Sequence, residues 1–446
     1  MDPKFEQTGK PDPISYLEAI PLDRAEISTA CLNIENKERS NLFPWNGQFS
    51  PQFVEALLAR YADRETRILD PFCGSGTVLS EAARLGLAAT GIEVNPAAYI
   101  LSKIYSFCNV LSEVRQVTLD AVENELQGIL PKGWPLFAAE GAKPAVIYQQ
   151  ELVALCNRST NDQKPVVEAL IILVDFFKGI DASKITKTWG KLRQVIEDLP
   201  YNPNSINVQH GDGRFPDAIA SFDLVVTSPP YINVYNYHQQ YRASAEALGW
   251  DLLEVARTEI GSNRKHRGNR FLTVTQYCLD LTLALHSLWA STSQNARLIF
   301  VLGRESRVRG VQFLNGEIAA RLAVDAVGYQ LLMRQERVFT NRFGQHIYED
   351  ILHLAKGQGP LTGSQERARI IANLVLRQAM INVSDLAIQT DLLDAIEKVY
   401  SVSQSPRFIP KTTHTSQNMA INNDLSDTTS RKTKRHSCKR KATGER

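Results

Sequence analysis

The fold class this sequence predicts is α/β, a doubly wound, mostly parallel seven-stranded sheet, and three observations predict it. From about residue 67 to residue 355, short β-rich runs alternate with longer helical patterns, as βαβ units do. Two β-rich runs lie close together near the end of that stretch, as an antiparallel closing hairpin would. The alternation is interrupted between about 106 and 203 by a stretch of helical pattern too long for one crossover, which reads as a helical insertion.

Taken in order, the expected strands are Thr66–Asp70, Ala88–Glu93, Ile206–His210, Phe222–Thr227, Arg297–Leu302, Gln330–Val338 and Tyr348–Leu354. Inside the insertion, the apolar run Val166 to Phe177 is broken by Glu168 and Asp175 and reads as a buried helix. A second interruption, about 235–271, is polar and Arg-rich. The expected organisation is an N-terminal extension, an α/β domain ending near residue 356 and a helical segment 357–402. A basic tail 403–446 follows, poor enough in apolar residues to be disordered.

The 446 residues are 43% hydrophobic and 22% charged, the composition of a globular protein, with a formal net charge of +2. That total hides an asymmetry: residues 431–446 carry +7, so the preceding 430 sum to −5. No apolar run approaches the ~18 residues that span a bilayer, and the start, MDPKFEQTGKPDP, lacks a signal pattern. Six cysteines stand without CxxC or CxxH spacing, against a structural zinc site and a disulfide framework. A reduced, cytoplasmic protein without a metal is the expectation. His238 and His346 lack a second ligand at i+4 and read as surface or core residues.

The segment RILDPFCGSGTVLSEAARLGLAATGIEVNP places a strand, Asp70, a Gly-Ser-Gly turn and a helix in succession. Glycines there let the backbone turn tightly and approach a ligand, and the helix start offers unpaired N–H donors. A second strand ends about twenty residues on at Glu93, where a carboxylate can accept both hydroxyls of a ribose. The third glycine of a dinucleotide fingerprint is missing, and no lysine follows to make a Walker loop. Cys73 reads as a small residue filling the turn.

DPFCGSGT followed by GIEVNP closely resembles the cofactor motif of the amino-directed DNA methyltransferases, and the upstream FPWNGQFSPQFVEALL is similar to that family too. The resemblance covers about residues 42–356 and implies S-adenosylmethionine as cofactor and a class I methyltransferase (Rossmann-like) fold. It implies that Asp70 and the loop Phe72, Gly74, Ser75, Gly76 and Thr77 surround the methionine moiety, that Glu93 holds the ribose, and that Asp212 of HGDGRF lies near the adenine amino group. Most relatives with a Ser-Pro-Pro-Tyr motif carry it before the cofactor loop; here it comes after.

That motif is Ser228-Pro229-Pro230-Tyr231, following the strand that ends at Thr227. Two prolines fix φ and lack N–H groups, so the loop is rigid and its carbonyls are free acceptors. A hydroxyl and a proline carbonyl can grip the two hydrogens of an exocyclic amine and aim its lone pair at a sulfonium methyl. Tyr231 offers a face on which an extruded base can stack. The motif has no cysteine for attack at cytosine C5. In the family it resembles, serine at the first position goes mainly with cytosine N4, and aspartate or asparagine with adenine N6. The expectation is thus a DNA cytosine-N4 methyltransferase of a restriction–modification system, acting on duplex DNA with a flipped base, beside a separately acting endonuclease. Adenine-N6 or tRNA guanine-N2 methylation and an inactive nucleic-acid-binding protein are the alternatives.

A body of net −5 needs local basic surface to grip phosphates. NRKHRGNR supplies Arg264, Lys265, Arg267 and Arg270, which could reach phosphates or guanine. The insertion, with Lys178, Lys184, Lys187, Lys191 and Arg193, is the rival recognition region. Tyr235, Tyr237 and Tyr241 are candidates to line the base pocket. Asn233 and Asn236 read as loop caps.

Overall fold

Strand sequences here switch side at every residue, and the sheet buries both faces. Ile68, Leu224, Val226, Ile299 and Val301 pack into one apolar cluster, while Leu69, Val225, Leu298, Phe300 and Leu302 pack into another. Successive strand residues point to opposite faces, so near-continuous apolar runs require a covered sheet. A computed structural model describes residues 17–130, 143–216, 221–232, 237–261, 266–341 and 344–410. Of these, residues up to Ile409 form the unit described below.

The strands are β1 (Arg67–Asp70), β2 (Ala88–Glu93), β3 (Ile206–His210), β4 (Phe222–Thr227), β5 (Thr292–Gly303), β6 (Glu305–Val308), β7 (Val311–Leu314), β8 (Tyr329–Thr340) and β9 (His346–Lys356). Seven of them form one sheet in the order β3-β2-β1-β4-β5-β9-β8, parallel through β5 and antiparallel at β9 and β8. The strand order reverses beside β1, so the loops after β1 and β4 diverge there and open a crevice, the usual ligand position in such sheets. All seven expected strands are present. The short hairpin β6–β7 was not expected: after Gly303 the sequence reads as loop, and the two four-residue strands pair only with each other.

The helices Pro51–Tyr61, Thr77–Arg84 and Pro96–Lys103 cover the first face, and Leu272–Ser291 and Ser364–Met380 the second. Between β2 and β3 lie Ser112–Ile129, Ala145–Arg158, Lys164–Val174 and Ala182–Glu197. Lys164–Val174 is the buried helix expected from the apolar run, and it packs on Pro96–Lys103 within the first cluster. No described helix is long and apolar enough to cross a membrane. No group of three metal-ligating side chains occurs among the described residues.

Where the composition places the start of a disordered tail, residues 403–409 instead lie on the fold. Ser405 and Phe408 are buried, at 3% and 6% exposure. The physical reason is a buried charge: Arg214, wholly buried, donates to the carbonyls of Ser405 (3.0 Å) and Pro406 (2.6 Å). The +7 run at 431–446 lies outside the described residues.

Candidate functional site

A cleft opens at the C-terminal ends of β1, β2 and β4. Of the residues singled out from sequence, Asp70, Phe72, Gly74, Ser75, Thr77, Glu93, Asp212, Ser228, Pro230 and Tyr231 all line it. Gly76 stands behind: at φ +88° it starts the helix Thr77–Arg84, and a Cβ there would come within 2.8 Å of the Tyr105 ring. The Gly-Ser-Gly turn is held from three sides. Glu93 Oε2 accepts from the Gly74 N–H (2.8 Å) and Oε1 from the Asn95 N–H (2.7 Å). Asp70 Oδ1 accepts from the Phe72 N–H and from the Thr227 hydroxyl (2.7 Å), joining the ends of β1 and β4. Gln48 and Ser75 are 2.7 Å apart, so the segment after Phe43 folds over the loop, and Trp45 closes it with its ring near-parallel to those of Tyr237 and Tyr241.

Burial pushes both carboxyls up, Asp70 to about 7 and Glu93 to about 7, against hydrogen bonds that favour their charged forms. Burial also pushes the Cys73 thiol up, and its sulfur fills the space beside Gly91, as a structural residue would. Four carboxylates line the cleft (Asp70, Glu93, Asp212 and Glu259), with no lysine or arginine among the described lining residues. Such walls suit a cationic ligand and oppose a polyphosphate. A sulfonium nucleoside meets them: Glu93 carries acceptors for a ribose diol, and Phe72 and Ile92 offer apolar surface. S-adenosylmethionine therefore fits the residues present.

Asp212 lines the cleft, but its carboxylate is fully engaged. Oδ1 accepts from Arg214 N and Nε, and Oδ2 from Arg214 Nη2 (2.7 Å) and the Phe408 N–H (3.0 Å). No lone pair is left for an adenine amino group, which corrects the role expected for it: Asp212 braces the wall. Arg214 also meets Asp280 at 2.8 Å, and Asp280 accepts from Ser405 N and Oγ. Sequence reading missed Glu259, which binds the buried His238 Nδ1 at 2.9 Å, and the segment 402–409. Neither lies in a motif; folding alone brings Glu259 to the cleft and the segment 402–409 against Asp212 and Arg214 behind its wall.

In the Ser-Pro-Pro-Tyr motif, Ser228 Oγ and the Tyr231 hydroxyl are 3.0 Å apart. The Tyr231 ring packs on Gly303, whose hydrogen leaves the room: a Cβ would stand 3.1 Å from Tyr231 Cε2. Ser228, Pro229 and Tyr231 also line a second cleft on the far side of the loop. Arg264, Lys265, Asn233, Tyr235 and Asn236 fall outside the described residues; Arg267 is exposed and Arg270 half-buried. In the insertion, Arg193 is taken up by Asp120, Glu123 and Glu197, and Lys178 pairs with Asp175 at 2.9 Å, whereas Lys187 and Lys191 are exposed.

Residues 24–103 match the model of a DNA methylase family, the N6/N4 methylases. The chain is 30% identical over 91 residues to the type II methyltransferase M.MjaII of Methanocaldococcus jannaschii, covering 20% of this chain and 17% of that one. It is 23% identical over 278 residues to the type II methyltransferase M.BsoBI of Geobacillus stearothermophilus, covering 49% and 54%. These matches thus span no more than about half the length of either relative. Among solved structures it is similar to TrmN from Thermus thermophilus (14% identity, TM-score 0.30, 70% of this chain and 50% of that one). A second is an S-adenosylmethionine-dependent methyltransferase from Methanosarcina mazei (12%, 0.31, 67% and 96%). The glycine loop, Glu93 and the Ser-Pro-Pro-Tyr motif converge on one cleft of a mostly parallel seven-stranded sheet, and these matches support the amino-directed methyltransferase family, whose cofactor is S-adenosylmethionine.

Proposed function

We propose that this protein is a DNA methyltransferase that transfers a methyl group to the exocyclic N4 of cytosine, as the modification enzyme of a restriction–modification system. The observation that carries the reading is the position of the catalytic loop: Ser228 and Tyr231 line both the cofactor cleft and the second cleft, so one rigid loop separates donor from acceptor. S-adenosylmethionine, when bound, supplies an electrophilic methyl on a sulfonium. The chain's own residues act on the amine. Burial pushes the Tyr231 phenol up, so it stays neutral. A Ser228 hydroxyl that donates to Tyr231 turns its lone pairs outward, and with the Pro229 carbonyl it accepts the two amine hydrogens. The nitrogen lone pair is then free to form the N–C bond as the C–S bond breaks, and the amine proton is lost to water. Gripping both hydrogens favours the tetrahedral nitrogen of the transition state over the planar ground state.

Arg264, Lys265, Arg267 and Arg270 are proposed to hold the DNA backbone, since Arg193 of the rival region is neutralised by carboxylates. The test is base-resolved modification mapping on DNA from cells expressing the chain, beside Ser228→Ala and Pro229→Ala. A mark on cytosine N4 in one short motif, reduced at least about 100-fold in either variant, is the expected result. Marks on adenine, or none on DNA, would overturn the reading.

A further inference from the structure

One wall of the second cleft has no part in the chemistry above. Across the antiparallel ladder Gly303 faces Glu349, and Glu349 faces Arg337. Directly opposed residues share a face of the sheet, so these three stand together beside the Tyr231 ring that lies on Gly303. Arg337 is 6% exposed, and its guanidinium is held between two rings, 4.5 Å from the Phe53 centroid and 4.8 Å from that of Phe339. Nη1 donates to Glu349 Oε2 at 3.1 Å, and Nε has no hydrogen-bond partner. A buried ion pair contributes little net stability, and a buried donor without a partner subtracts from it. Stability is thus a poor reason for a guanidinium here.

We propose that Arg337, positioned by Glu349, reads the Watson–Crick edge of the extruded target base and selects cytosine over adenine. The inference rests on the methyl-transfer reading and names the group that recognises the acceptor. With Nη1 committed to Glu349, the Nε–Nη2 edge of the guanidinium offers two parallel donors. Beside its amine, cytosine presents two adjacent acceptors, N3 and O2, which that edge matches in bidentate fashion. Adenine presents one acceptor, N1, followed by a C–H, and would leave a buried donor unpaired. Ser228 and Pro229 line the same cleft, so a base held by N3 and O2 keeps its amine on the side of the catalytic loop.

The experiment uses the full chain with S-adenosylhomocysteine and a duplex carrying the motif found by mapping. The target base is replaced by 2-pyrimidinone, which keeps N3 and O2 but lacks the amine, or by adenine, each opposite guanine so that both are weakly paired. The parent should bind the pyrimidinone duplex more tightly, and Arg337→Gln should lose roughly 5- to 150-fold of that preference, the range for one bidentate contact. Its affinity for S-adenosylhomocysteine should stay within about twofold, as expected of a residue outside the cofactor cleft. An unchanged preference overturns the assignment, and so does a parallel loss of cofactor affinity, which would mark a structural role. Should Arg337→Gln fail to fold, the isosteric Glu349→Gln decides: a preference reduced by roughly fivefold or more supports the proposal, and an unchanged one overturns it. A cytosine mark with an unchanged preference removes the Arg337 assignment alone; an adenine mark, or none, removes the methyl-acceptor reading as well.

Discussion

Glu93 shows how one side chain couples the cleft to pH. Its carboxyl is raised to about 7 because burial penalises the charge, although two backbone N–H groups favour it. A carboxyl raised in the folded state binds a proton that the unfolded chain has already released. The ligand-free protein should therefore lose stability as pH rises from the ordinary carboxylate range to about 7, Asp70 adding to the effect in the same direction. Accepting ribose hydroxyls favours the ionised form, so affinity for S-adenosylmethionine should rise between pH 6 and pH 8. Calorimetric titration across that window should show a clear rise in the parent and a flatter profile in Glu93→Gln. Equal slopes would assign the effect elsewhere. The sequence marked Glu93 because a strand-end carboxylate after a glycine loop is a local pattern. It could not show that Asp212 spends both oxygens on Arg214 and Phe408, since Phe408 is distant in the chain.

Elements place the site through the loops that follow β1, β3 and β4, and their close approach depends on a glycine outside the Gly-Ser-Gly turn. A Cβ on Gly213 would lie 1.9 Å from the Pro71 carbonyl oxygen, a backbone atom that cannot swing away. Gly213→Ala should cost about 3 kcal/mol, the upper range for overpacking, and weaken cofactor binding, measured by thermal unfolding and titration. Gly190, inside the helix Ala182–Glu197 with nothing near its Cβ position, is the contrasting case. Gly190→Ala should stabilise by roughly 0.5–1 kcal/mol through helix propensity. Strand positions were legible because alternating burial on two faces leaves a continuous apolar run. The extension of β5 back to Thr292 was not, because polar residues carry it, and neither was the hairpin β6–β7, whose strands of four residues are too short to give a periodic signal.

At the scale of the whole molecule, the segment 402–409 closes the wall behind Asp212. Truncation after Val402 removes the carbonyls of Ser405 and Pro406 from Arg214 and the Ser405 donors from Asp280. Each hydrogen bond to a charged group so lost leaves a buried group short, at about 1–3 kcal/mol. That truncation should lower the melting temperature by several degrees and weaken S-adenosylmethionine binding. Truncation after Pro410 should do neither, and at most weaken DNA affinity at low salt while the modified motif stays the same. If both truncations behave alike by thermal unfolding and titration, the segment is not part of the site. Composition alone assigned 403–409 to the tail, because serine, proline and arginine give no local signal of burial.

The positions of the strands along the chain, the glycine loop, Glu93 and the Ser-Pro-Pro-Tyr motif were all determined by the sequence itself. Each is local: periodicity, a glycine turn and a proline pair act over a few residues. What only the tertiary structure decided is which distant groups share those positions. Arg214 recruits Ser405 and Pro406, Trp45 meets Tyr237, and Arg337 with Glu349 comes to stand beside Tyr231. Buried charges and ring faces take partners by proximity in the folded chain, and no spacing in the sequence encodes those pairings.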